Sequence, residues 1–176
     1  MSTEYELRIL NIDVVKIQKK LQELGVKKVA RKNMRRFVYD LPSSGKNAWL
    51  RLRDDGKKTT LTYKNIHAQT VDGTEEIEVV VSNFELTAQI LEKIGLIPKS
   101  YQENKRISYD LKGVEIDLDF WPKIAPYLEI EADSKEKVEK TIEKLGFKLK
   151  DATGENTKEI YKKYGIDLDK IKHLKF

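Results

Sequence analysis

Cysteine is absent from the 176-residue chain, which removes disulfides and thiolate metal sites together. Histidine is almost as scarce: His67 and His173 are the only two, too far apart in sequence to suggest a histidine zinc site or a catalytic triad. No apolar run approaches the ~20 residues of a membrane helix. The opening MSTEYELR is acidic and polar where a secretory signal is basic and then apolar. A strong charge of one sign is missing too, since 34 Lys and Arg stand against 29 Asp and Glu for a mild +5. Arg31-Lys32 and Arg35-Arg36 are short, lack interleaved aromatics and read as strand-end solvation. The expectation is a soluble, cytoplasmic protein with no nucleic-acid partner and no membrane partner, as a monomer or a homodimer.

What is present is a mixture of 39% hydrophobic and 36% charged residues, charge-rich but too apolar for a disordered chain. The length suits a single domain over 1–176. Three helices are announced by period and punctuation. Asn11 to Leu24 carries Val14, Ile17, Leu21 and Leu24 on one stripe and ends at Gly25. Ser82 with Glu85 reads as a capping box opening a second helix, with Phe84, Ile90, Leu91 and Ile94 as its apolar residues and Gly95 as its end. Asp133 with Glu136 opens a third, with Val138, Ile142 and Leu145 before Gly146. The three ends LQELGV, LEKIGL and IEKLGF share a glycine followed by an apolar residue, the pattern of a left-handed cap. A fourth helix is expected near Asn156 to Tyr164.

Between the helices the period is two. Eight strands are expected: Thr3 to Leu10, Arg35 to Leu41, Ala48 to Asp54, Thr59 to Asn65, Thr74 to Val81, Tyr101 to Asp110, Gly113 to Phe120 and Tyr127 to Ala132. DDGKK (54–58) and DLKG (110–113) are hairpin turns, while LPSSGKN and FWPKIAP are longer loops. The fold class is α+β, and eight antiparallel strands are enough to close a barrel flanked by about four helices.

Several strands carry one charged face and one apolar face. Glu4, Glu6 and Arg8 alternate with Tyr5, Leu7 and Ile9; Trp49, Arg51 and Arg53 with Leu50 and Leu52; and Thr60, Thr62 and Lys64 with Leu61 and Tyr63. Glu76 and Glu78, then Glu115, Asp117 and Asp119, then Glu129 and Glu131 repeat the pattern with acids alone. A single such face is most simply a solvated sheet surface. Acids gathered on some strands and arginines on another allow a second reading, a closed barrel with its charged faces lining a wet lumen. Carboxylates at i and i+2 lie ~6.6 Å apart along a strand and repel without a cation nearby. Pairs from two strands would supply the oxygen-only donors that Mg²⁺ or Mn²⁺ prefers. Arginine forks and a lysine would hold phosphate oxygens.

EYELR resembles the N-terminal E-x-E-x-K signature of the CYTH superfamily, the triphosphate tunnel metalloenzymes, which include class IV adenylate cyclases, thiamine triphosphatases and inorganic triphosphatases. FVYD (37–40), WLRLR (49–53), TYK (62–64), EEIE (75–78), KRISY (105–109), DFWP (119–122) and YLEIE (127–131) continue the resemblance in order over nearly the whole chain. It implies an eight-stranded antiparallel tunnel acting on a small-molecule triphosphate. By resemblance Arg8, Arg51, Arg53, Lys64 and Arg106 would bind the triphosphate, with Arg8, Lys64 and Glu6 carrying catalysis. Glu4, Glu6, Asp119, Glu129 and Glu131 would hold Mg²⁺ or Mn²⁺, with Glu76, Glu78, Asp117 and Tyr39 supporting the lumen.

Two positions depart from the family pattern: Arg8 replaces the signature lysine, and Thr74 stands where a basic residue often precedes the central Glu pair. The implied activity is a metal-dependent triphosphatase. A class IV cyclase and a non-catalytic nucleotide or polyphosphate binder are the alternatives. A cyclase would need a nucleoside pocket, for which Trp49, Trp121, Phe37 and Tyr39 are candidate stacking residues, although core or rim packing suits each. His67 is expected in a solvated loop. Lys158 and Tyr161 lie on the fourth helix, where the family often brings a segment near a tunnel mouth.

Overall fold

A computed structural model describes residues 5–41, 48–66 and 74–176; Glu4 and His67 lie outside them. The chain divides into two compact units, 1–32 with 105–168 and 33–104 with 169–176. Two of the three boundaries fall within long strands, β2 (Lys27–Asp40) and β6 (Ser100–Leu111).

The first unit contains β1 (Tyr5–Ile9), β7 (Val114–Phe120), β8 (Tyr127–Ala132), a two-residue β9 (Ala152–Thr153) and the second half of β6, with α1 (Val14–Glu23), α3 (Lys135–Lys144) and α4 (Thr157–Lys163). Its strand order is β6-β7-β8-β1-β9, antiparallel throughout. The apolar positions of the period-two pattern all turn one way. Ile9, Ile107, Ile116, Leu118, Leu128 and Ile130 are buried in one cluster with Ile17 and Leu21 of α1 and Val138 and Ile142 of α3. The β6–β7 hairpin turns at Lys112 and Gly113, both with positive φ, as a tight two-residue hairpin requires.

The second unit contains β3 (Ala48–Asp54), β4 (Thr59–Ile66), β5 (Thr74–Val81), α2 (Phe84–Lys93), β10 (His173–Leu174), the larger part of β2 and the first part of β6. The order β5-β4-β3-β2 is antiparallel, while β10 pairs parallel with β6 at Tyr101 and Gln102. Phe84 and Leu91 of α2 pack with Tyr39 and Leu52 on the apolar face.

The helix ends close as their sequences imply. In α1, Val26 N–H donates to Leu21 C=O at 2.9 Å and Gly25 N–H to Gln22 C=O at 3.0 Å, with Gly25 at φ +66°. The helix starts differ from expectation: the caps of α2 and α3 are Asn83 and Ser134, each one residue after the expected Ser82 and Asp133, and α1, expected from Asn11, is capped by Asp13. At the starts of α2 and α3, adjacent residues are comparably good caps, and the side chain that accepts a free N–H of the first turn decides. The fourth helix begins at Asn156 in a reciprocal capping box with Glu159.

The expected closed eight-stranded barrel is corrected to ten strands. The strand order has two ends, β5 and β9, which no ladder joins among the described residues, so hydrogen bonds do not close the sheet. Two of the strands are only two residues long, too short for any period to announce them.

Candidate functional site

In the first unit, strand register turns the charged faces of β6, β7, β8 and β1 into three lateral rows. One row runs Arg106, Asp119, Tyr127; the next Ser108, Asp117, Glu129, Arg8, Thr153; the third Asp110, Glu115, Glu131, Glu6. Like charges directly opposite across strands are destabilising unless compensated. Arg106 supplies much of the compensation: it donates to Asp119 at 2.9 and 2.5 Å and to Glu129 at 2.8 Å, and pairs with Asp117 at 2.5 Å. Arg8 donates from Nε to Glu129 at 2.8 Å, from Nη1 to the Glu155 carbonyl at 2.8 Å, and from Nη2 to Glu6. Glu129 therefore sits between two guanidinium groups.

Burial and these partners set the protonation states. Burial pushes the Glu6 carboxyl up to about 8, reinforced by the charge of Glu129. Asp117 is raised to about 7, again mainly by burial, against the pull of Arg106. Burial would raise Glu129 as well, but Arg106 and then Arg8 outweigh it and hold the group down at about 2. Asp119 is 0% exposed, so its charge depends on its protein partners.

Seven acids against two arginines leave these rows rich in carboxylate oxygen, the hard donor set of Mg²⁺ or Mn²⁺. Burial and then the charge of Glu129 raise Glu6, and a cation beside it would relieve the second of these. By donor chemistry the residues fit a divalent ion. Among the described residues, no three acidic or histidine side chains are gathered as a ligand set; arginine forks hold the carboxylates instead.

In the second unit the register brings basic side chains of β2, β3 and β4 into rows, two of them with acids at their ends. Arg36, Arg53 and Thr60 lie side by side; Val38, Arg51, Thr62 and Glu78 form the next row; Asp40, Trp49, Lys64 and Glu76 the third. Glu76 meets Lys64 at 2.6 Å, while Glu78 accepts from the Thr62 hydroxyl at 2.8 Å and lies within 3.7–3.8 Å of Arg51 and Arg53. Although burial would raise Glu78, the Thr62 hydrogen bond and the adjacent guanidinium groups bring its pKa below the ordinary range.

The structure thus gathers Glu6, Arg8, Arg106, Asp117, Asp119, Glu129 and Glu131 on the three rows of one unit, and Arg51, Arg53, Lys64, Glu76 and Glu78 on the rows of the other. Tyr39 departs from expectation. It is fully buried in the apolar cluster, on the face opposite Arg51, where burial pushes its hydroxyl up to about 12. Phe37 packs there too, stacked on Phe84 at 5.2 Å, and Trp121 lies edge-on to Tyr161 at 6.2 Å. Trp49 is the one stacking candidate that lies on a charged face, opposite Lys64.

Sequence reasoning passed over two residues. Arg36, read as strand-end solvation, lies opposite Arg53 and donates to Asn104. Tyr127 shares the parity of Glu129 and Glu131, a signal the period-two count already held, and occupies the row of Arg106 and Asp119.

A CYTH domain model matches residues 2–164. The chain belongs to the CYTH family. No curated protein matches it. Solved structures do: a conserved hypothetical protein from Pyrococcus furiosus, 22% identical, covers 88% of this chain and 97% of its own with TM-score 0.74. A putative adenylate cyclase from Vibrio parahaemolyticus, 15% identical, covers 92% and 98% with TM-score 0.75. A putative adenylyl cyclase from Hippeastrum, described as having a dominant triphosphatase activity, is 15% identical and covers 96% and 98% with TM-score 0.61. At these identities the structural likeness speaks to the CYTH fold alone. The CYTH signature residue expected to be lysine is Arg8 here, and its three donor groups are all engaged, by Glu129, Glu155 and Glu6. A lysine ammonium lacks that planar fork.

Proposed function

We propose that the protein is a divalent-metal-dependent triphosphatase. The observation that carries this reading is the sorting of charge by strand register. Arg51, Arg53 and Lys64 share one face of β3 and β4, whereas Glu6, Asp119, Glu129 and Glu131 belong to carboxylate rows on β1, β7 and β8. Solvated faces have no need of such sorting, whereas phosphoryl transfer uses both halves of it.

Arg51, Arg53 and Lys64 would bind phosphate oxygens and absorb the charge that develops as the terminal phosphoryl group transfers to water. Glu76 and Glu78 orient those cations. Glu6, Asp119, Glu129 and Glu131 would hold Mg²⁺ or Mn²⁺. Bound there, the ion would neutralise phosphate charge and polarise the phosphoryl group. Arg106 and Arg8 keep Glu129 charged and hold the neighbouring carboxylates in place; Glu6, raised toward neutrality, would accept a proton once ionised. The products would be orthophosphate and a diphosphate.

One observation favours an organic triphosphate over the inorganic one: Trp49 lies on the charged face opposite Lys64, where its ring could stack on a base. Supplying tripolyphosphate, ATP and thiamine triphosphate separately with Mg²⁺ or Mn²⁺, and following orthophosphate, pyrophosphate and cyclic AMP, tests the proposal. Orthophosphate release supports it. Pyrophosphate with cyclic AMP from ATP would make the protein a cyclase, and binding without any release would make it a non-catalytic binder.

A further inference from the structure

Two buried polar atoms of the second unit are unpaired. Thr60 and Asn104 are each 1% exposed, and neither the Thr60 hydroxyl nor the Asn104 amide nitrogen has a hydrogen-bond partner among the described residues. Buried polar groups are normally paired, and one left alone costs stability. The two atoms belong to one group of side chains. Register sets Arg36 of β2, Arg53 of β3 and Thr60 of β4 side by side, and Asn104 of β6 accepts a hydrogen bond from Arg36 Nη2. That bond fixes how the amide faces. A guanidinium group only donates, so the amide oxygen turns to Arg36 and the NH₂ group is left as a donor.

This row differs from its neighbours in charge. The Arg51 row ends at Glu78 and the Lys64 row at Glu76, whereas the partner of Thr60 on β5 is Val80. Arg36 stands directly opposite Arg53, a like-charge pair that is destabilising without compensation. Glu78 of the adjacent row lies 3.8 Å from Arg53, longer than a hydrogen bond. The run of Lys64, Arg51 and Arg53 along the sheet also stops here. The next residues of the same parity are Met34 on β2, buried and apolar, and Asp55 after β3, a buried acid held by the N–H groups of Lys57 and Lys58.

We propose that Arg36, Arg53, Thr60 and Asn104 form the subsite for the terminal phosphoryl group of a triphosphate. This rests on the reading of Arg51, Arg53 and Lys64 as phosphate-binding cations. A terminal phosphoryl group offers three strong acceptor oxygens and carries more charge than an internal one. Two guanidinium forks, an amide N–H and a hydroxyl match it, and the amide and hydroxyl gain the partners they lack. A longer phosphate chain meets Met34 and the Asp55 carboxylate. Trp49, two rows away beside Lys64, then takes the organic end. Arg36, Thr60 and Asn104 are therefore specificity-determining residues that read the end of the phosphate chain.

Calorimetry in chelator tests this with two ligands, ATP and ATP whose terminal phosphate carries a methyl ester. The wild-type chain is expected to bind the ester at least tenfold more weakly. Thr60→Val and Asn104→Asp, made separately, are each expected to weaken ATP binding about tenfold. In both variants ATP and the ester should bind within about twofold of each other, because the group that told them apart is gone. Since its hydroxyl is unpaired, Thr60→Val should not lower the urea midpoint, which separates lost binding from lost folding. Variants that bind ATP like the wild type overturn the proposal. Variants that weaken ATP but keep the ester penalty overturn it too, by placing an internal phosphoryl group at the row. A wild-type chain that binds neither ligand overturns the subsite together with the phosphate-binding cations. Binding that meets every expectation, with no orthophosphate once Mg²⁺ is added, overturns the triphosphatase alone and keeps the subsite.

Discussion

Glu129 accepts hydrogen bonds from Arg8 and Arg106, and Arg106 in turn reaches Asp117 and Asp119. A buried pair adds little net stability when both partners are present, but removing one leaves an uncompensated charge. Arg106→Ala should therefore destabilise the fold by about 3–5 kcal/mol, read as a lower urea midpoint. Glu6 gives a pH signature. Its carboxyl is raised from 4.5 to about 8 by burial and Glu129, so the folded state binds that proton more tightly than the unfolded chain. The associated stability is complete below 4.5 and is lost as pH rises through about 8. Metal-free protein should lose thermal stability across that window, with Asp117, raised to about 7, adding to the loss. Glu6→Gln should flatten the profile; an unchanged slope in that variant would show that Glu6 does not hold the proton.

At the scale of elements, much of the structure was legible because burial follows period. Ala48–Asp54, Thr74–Val81 and Tyr127–Ala132 appear with the bounds their alternation predicts. The charged residues share faces for the same reason, since a strand offers only two. Less legible were features that depend on what packs where. Ile90 and Ile94 have the composition of a core stripe, yet only Phe84 and Leu91 of α2 are buried. Tyr39 reads equally as a lumen aromatic or a core one until its register opposite Leu50 assigns the face. The start of α4 is explicit in both: Asn156 accepts from the Glu159 N–H at 3.1 Å, and Glu159 accepts from the Asn156 N–H at 2.9 Å. Asn156→Ala should cost about 1 kcal/mol in chemical denaturation. The adjacent Glu155 carbonyl, bonded to Arg8, gives this cap a second consequence, because a frayed start would loosen one of the three bonds that place that guanidinium group.

For the whole molecule, register places Arg51, Arg53 and Lys64 on β3 and β4 of one compact unit and the carboxylate-rich rows on β1, β7 and β8 of the other. Sequence alone carried the sorting by strand, but the closed barrel expected from it is not joined by hydrogen bonds among the described residues, because whether distant strand ends pair leaves no local trace in composition or period. Segregation makes the two functions separable. Lys64→Ala should weaken tripolyphosphate binding about tenfold, about 1.4 kcal/mol, and leave Mn²⁺ binding unchanged by calorimetry. Glu129→Gln should weaken Mn²⁺ binding while tripolyphosphate still binds. If both variants lose both ligands together, the assignment of separate roles fails. The most direct test of the central claim is phosphate release from tripolyphosphate, followed by phosphorus NMR as free Mg²⁺ is raised from zero in chelator. The account predicts no turnover without the ion and orthophosphate with diphosphate once it is present; release that persists undiminished in chelator would contradict it.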